Sequence, residues 1–146
     1  MAKQRLLVAV TLLGYVHARR ALQRRYDLVS AFSIGQAMAS LKASDIDAVL
    51  CSIHFDECRM FDFLREATKI APQTPIVCCR ILHSPLSKQA IEGLVTTAKS
   101  LGCRGFVNFN ALQRSHGLEE ADRRFCEAVV ELLAPPAEKS NAATGL

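Results

Sequence analysis

The sequence predicts a doubly wound α/β fold on a five-stranded parallel sheet, and two observations carry that reading. The first is that short apolar runs alternate with helical patterns: "RLLVAV" (5–10), "LVSAF" (28–32), "DAVLCSI" (47–53), "PIVCC" (75–79) and "GFVNF" (105–109). The second is that the first, third and fourth runs are apolar almost throughout, as strands covered on both faces should be. Five strands alternating with five helices imply a parallel sheet with helices on both sides.

The first run lies inside "MAKQRLLVAVTLLGYVHA", whose basic start, apolar middle and A-x-A-like end at Val16-His17-Ala18 also resemble a secretory signal. The strand reading is preferred because the pattern downstream needs a central strand there. "SIGQ" (33–36) has the S-x-x-Q form of a capping box and opens a helix through Leu41. "DAVLCSIHFDECRMFDFL" (47–64) begins as a buried strand and ends as an amphipathic helix, with Ser52, His54, Asp56 and Glu57 between. "SP" at 84–85 places an N-cap before a proline at the first helical position. Ile91, Leu94, Val95, Ala98 and Leu101 recur at helical spacing, and Gly102 follows as a C-terminal cap. Leu118, Ala121, Phe125, Val129 and Leu132 mark the last helix, which Pro135 and Pro136 stop. One domain over 1–134 and a mobile tail over 135–146 are expected.

With 146 residues, half of them hydrophobic, the chain has room for a real core. No apolar run reaches the roughly 18 to 20 residues needed to span a bilayer. Cys51, Cys78 and Cys79 sit within apolar runs, and none of the six cysteines forms a C-x-x-C pair. Free thiols in a reducing, cytoplasmic setting are the natural account. Residues 1–26 hold Lys3, Arg5, Arg19, Arg20, Arg24 and Arg25 and no acidic residue, so the net charge of +4 comes from this segment.

At this point the chain resembles a response-regulator receiver domain, over residues 5 to about 134. "GCRGFVNFN" (102–110) is similar to the receiver's "GA-x-G-[YF]-x-x-KP". "DAVLCSIHFDECRMFDFL" is similar in register to "DLVLLDIMMPDMDGFELL", and "PIVCCR" to the fourth strand. The resemblance implies strand order 2-1-3-4-5. It also implies a phosphoryl-transfer site of an aspartate after strand three, two metal-binding acids after strand one, a Thr or Ser after strand four and a Lys after strand five.

None of those groups is present. Ser52 stands at the phosphoacceptor, Val10 and Thr11 at the acidic pair, Arg80 at the Thr/Ser and Phe109 at the Lys. Realignment recovers neither side of the chemistry. The first acid in the chain is Asp27, and no lysine occurs between Lys99 and Lys139. A neutral serine without a base is a poor nucleophile, and Mg²⁺ requires hard oxygen ligands. The expectation is a pseudo-receiver: no enzyme, no cofactor, no metal, and a protein-interaction role in bacterial signalling.

The resemblance places partner surfaces on the first helix, with Arg20 and Arg24, and on the face of the fourth helix, fifth strand and fifth helix. That second face includes Phe106, Arg123 and Arg124, and a homodimer through it is one option. No nucleic-acid motif accompanies the arginines, so nucleic acid is not an expected partner. Arg80 admits an anion site, a salt bridge to Asp56, or a side chain pointing into solvent. A small-anion or ligand sensor around Arg80 is the alternative function. A thiol or metal sensor built on the cysteines and His54 is a third.

Overall fold

The computed structural model describes residues 2–43 and 45–135. Most of the expected tail, residues 136–146, lies outside them. Strands β1 (Gln4–Ala9), β2 (Tyr26–Ala31), β3 (Ala48–Ser52), β4 (Ile76–Arg80) and β5 (Gly105–Asn108) form one parallel sheet in the order β2-β1-β3-β4-β5. Around it stand α1 (Leu12–Leu22), α2 (Ile34–Ala43), the single turn α3 (Phe55–Cys58), α4 (Met60–Ile70), α5 (Lys88–Ser100), α6 (Phe109–His116) and α7 (Leu118–Leu133). None of these helices is long and apolar enough to cross a membrane.

Alternation along each strand divides the core in two. Leu6, Val8, Leu50, Val77, Cys79 and Val107 face α1 and α7, where they meet Ala18, Leu22, Phe125 and Val129. Leu7, Ala9, Val49, Cys51, Ile76 and Cys78 face the other way, onto Ala37 of α2, Phe63 and Leu64 of α4 and Ala98 of α5.

The helix starts follow from local hydrogen bonding. Ser33 Oγ accepts from Gln36 N at 3.1 Å while Gln36 Oε1 accepts from Phe32 N at 2.8 Å, a capping box displaced by one residue. Asp56, from the far side of β3, adds a carboxylate acceptor to Ile34 N at 2.8 Å. This helix start is thereby tied to the β3 connection.

Two elements differ from expectation. The "SP" start is not used: α5 begins at Lys88 behind Ser87, whose Oγ accepts from Ala90 N at 3.0 Å. The Ser84 carbonyl is already engaged by Arg80 Nη2 at 2.6 Å and Leu86 N at 2.8 Å, which holds 84–86 in a loop. The chain also turns into a helix, α6, straight out of β5. Asn108 Oδ1 accepts from Ala111 N at 3.0 Å and so caps that helix. Phe109 is consequently the first residue of α6 and not the last of a strand.

Gly102 ends α5 in the left-handed region, with φ of 104°. At Gly105 the constraint is space: a Cβ there would lie 2.6 Å from Leu132 Cδ2. Gly105→Ala is therefore expected to destabilise the fold by about 1–3 kcal/mol through overpacking. Adding Leu132→Ala should make room and recover part of that loss in urea unfolding. Strictly additive losses in the double variant would show that this contact is not the cause.

Candidate functional site

In open α/β sheets ligands gather at the carboxyl ends of the strands, and that edge is built here from unreactive parts. Val10 is completely buried in the α1–α7 core. Thr11 is the N-cap of α1, its Oγ1 accepting from Gly14 N at 3.0 Å. Ser52, 3% exposed, continues the Ala48–Leu50 row toward the α1–α7 side. Phe109 is buried beside them, its ring 5.3 Å from His17 and 5.4 Å from Phe125. It works as an aromatic wedge between α1 and α7.

Arg80 stands apart. It continues the Ile76–Cys78 row toward the opposite, α4–α5 side and is 5% exposed. It neither points into solvent nor reaches Asp56, correcting both of those readings. Asp56 serves Ile34 N and lies 3.6 Å from Arg59, and Arg80 turns inward to the Ser84 carbonyl. The five positions of the degenerate site are thus divided between the two faces of the sheet.

The β3 connection is strained. Asp56, Glu57 and Cys58 have φ of 45°, 58° and 62°, a left-handed run without glycine, costing about 1–2 kcal/mol per residue. It is held by the Asp56 cap on α2 and by Phe55, buried with its ring 5.4 Å from Phe63. Asp56 is thereby turned away from any shared ligand set with His54 and Cys58. Among the described residues no cluster of three His, Cys, Asp or Glu is placed to hold a metal ion.

The expected partner surfaces are differently occupied. Arg20 is engaged internally: its guanidinium donates to both Asp122 oxygens, at 2.5 and 3.0 Å, and to His17 Nδ1 at 2.8 Å, joining α1 to α7. Arg24 is exposed beside it. Arg123 pairs with Glu120 and Glu127, and Arg124 with Glu120, all on the surface of α7. Those two arginines hold the Glu120 carboxyl down at about 2. Phe106 is half-buried against the α4–α5 core. Sequence reasoning missed the most exposed apolar surface, Leu12 (68%), Leu13 (68%) and Val16 (56%) at the start of α1. The signal was available: Leu12, Val16 and Arg19 repeat at helical spacing, off the stripe that buries Gly14, Ala18 and Leu22.

A response regulator from Thermotoga maritima is 13% identical, with a TM-score of 0.68 over 91% of this chain and 99% of that one. A response regulator from Burkholderia pseudomallei with a phosphorylated aspartic acid is 13% identical, with a TM-score of 0.63 over 97% and 73%. The chemotaxis response regulator CheY4 of Vibrio cholerae is 19% identical, with a TM-score of 0.54 over 73% and 85%. No family model matches the chain, and no curated protein does. The chain has the fold of response-regulator receiver domains, CheY-like and flavodoxin-like in its parallel sheet.

Two measurable consequences follow from these surroundings. Cys51, Cys78 and Cys79 are buried, and desolvation pushes the Cys51 and Cys79 thiols up. Cys58 is exposed. Native titration with a thiol reagent should label Cys58 first, and rapid labelling of Cys79 would contradict the burial of β4.

The second consequence concerns His17 and His54. Their pKa values are lowered, first by burial and then by Arg20 and Arg80 respectively. Because arginine only donates, His17 Nδ1 must accept and the ring is neutral. The unfolded chain therefore binds protons more readily than the fold. The histidine contribution is fully present above about pH 6.5 and is lost as pH falls through the lower folded values. Replacing both histidines by Asn should flatten the fall in melting temperature across that window, and an unchanged fall would assign it to other groups.

Proposed function

We propose that this chain is a non-catalytic pseudo-receiver that acts in signal transduction by binding protein partners, without phosphorylation. The observation that carries this reading is the exposed apolar start of α1, Leu12, Leu13 and Val16, standing at a sheet edge whose own residues are buried or used as caps. Three large apolar side chains side by side in solvent are the mark of a contact surface. Arg19, exposed one turn further along the Leu12–Val16 stripe, and the absence of acids from residues 1–26 suit an acidic protein partner. The solved structures of similar fold are described as response regulators, which supports a signalling context.

The lack of phosphotransfer is supported by chemistry. Val10 and Thr11 offer no carboxylate for Mg²⁺, Ser52 offers no carboxylate to phosphorylate, and Phe109 offers no cation for the phosphoryl oxygens. The face formed by α5, β5 and α7, with half-buried Phe106 and the paired Arg123 and Arg124, is proposed as a second surface, for self-association or output.

Acetyl phosphate or beryllofluoride with Mg²⁺ should leave the protein unchanged, and Ser52→Asp alone should not restore a response. A one-phosphate mass increase within residues 47–58 would overturn the non-catalytic reading. In a pull-down from the source organism, Leu13→Glu with Val16→Glu should remove partners that wild type retains, and these exposed positions leave the core intact. An identical set of partners for wild type and variant would remove α1 as the docking surface.

A further inference from the structure

The α4–α5 side of the sheet carries a cavity of about 380 Å³ between the connections that leave β3 and β4. Its size lies in the range of small-molecule sites, about 300–1,000 Å³. Met60, Phe61, Leu86 and Leu94 make most of its wall apolar. His54 and Ser84 reach it from the two connections. Each brings a buried atom without a hydrogen-bond partner, His54 Nδ1 and Ser84 Oγ.

Arg80 does not line the cavity but is bonded to Ser84 and acts on His54 through its charge. Its Nη2 donates to the Ser84 carbonyl at 2.6 Å, and its charge, after burial, is what lowers the pKa of His54. Its Nε is buried with no partner. Among the described residues no carboxylate forms an ion pair with it. Arg80, 5% exposed, faces one carbonyl and no carboxylate, so an opposite charge nearby would offset part of what its burial costs. The missing charge is a single negative one, and the space beside it is apolar.

We propose that this cavity binds a small amphipathic carboxylic acid, its carboxylate at the Ser84–His54 end under the field of Arg80 and its apolar body against Met60, Phe61, Leu86 and Leu94. A serine hydroxyl swings about one torsion, so Oγ turns from its unpartnered position to donate to the carboxylate. One guanidinium matches one negative charge, whereas a dianionic phosphate or a polyhydroxylated ligand would press unpaired polar groups onto apolar walls. Binding is non-covalent and independent of the α1 surface.

Octanoate, octan-1-ol and acetate separate the two halves of this recognition on the unmodified full chain. Octanoate should bind saturably and raise the melting temperature. Octan-1-ol, lacking the charge, should bind about tenfold more weakly or worse, and acetate, lacking the body, should not bind measurably. Cys58 lines the cavity and is exposed, so octanoate should slow its reaction with a thiol reagent. Arg80→Met keeps an apolar stem in the core and should abolish the preference for octanoate over octan-1-ol while leaving octan-1-ol binding in place. Absence of saturable octanoate binding to wild type, or equal binding of octanoate and octan-1-ol, overturns the proposal whether or not the variant folds. So does a preference that survives Arg80→Met, or an unprotected Cys58.

Discussion

A parallel sheet exposes backbone and side chains on two faces, and covering both with helices is the constraint on which every other feature of this protein depends. Because successive side chains alternate across the sheet, each strand divides its residues between the α1–α7 core and the α2–α4–α5 core. The same alternation settles what the carboxyl edge can do. Ser52 inherits the side of Leu50, and Arg80 inherits the side of Cys78. Neighbouring strands thus send the polar residues that end β3 and β4 to different environments, one beside the aromatic wedge of Phe109 and the other beside an apolar cavity.

Charge is distributed according to how far each arginine is from water. Arg123 and Arg124 decorate the exposed surface of α7 with ion pairs of the kind that add about 0–1 kcal/mol. Arg20 is more consequential, because its fork spans both oxygens of Asp122 and ties the first helix to the last. Arg104 donates to the carbonyls of Leu133 and Ala134 at 3.3 and 2.9 Å, closing the end of α7 where a cation is favoured. Arg80 is the exception, buried among the described residues with a carbonyl and no carboxylate.

The β3 connection couples these features. Its left-handed residues keep Asp56 turned onto the start of α2, while His54 and Cys58, on either side, line the cavity. That turn is held by the Asp56 cap on α2 and by the buried Phe55. On the other face, the apolar start of α1 rises from the same edge of the sheet behind the Thr11 cap.

Much of this was legible in one dimension. The short apolar runs located all five strands to within two residues, most clearly β3 and β4, where burial on both faces leaves so little room for polar side chains. The absence of any acid before Asp27 and of any lysine near Phe109 is likewise a property of composition alone. Tertiary structure decided what the substituted residues do instead. The sequence alone leaves open that the Ser84 carbonyl is engaged by Arg80, which displaces the start of α5 to Lys88, or that Asp56 caps a helix 22 residues earlier. Nor does it show that Arg80 and Ser52 part company, since that depends on strand register and on which face each connection leaves. Local propensity and periodicity are written residue by residue, whereas the partner of a buried charge is set by residues that meet only when the sheet closes its two cores.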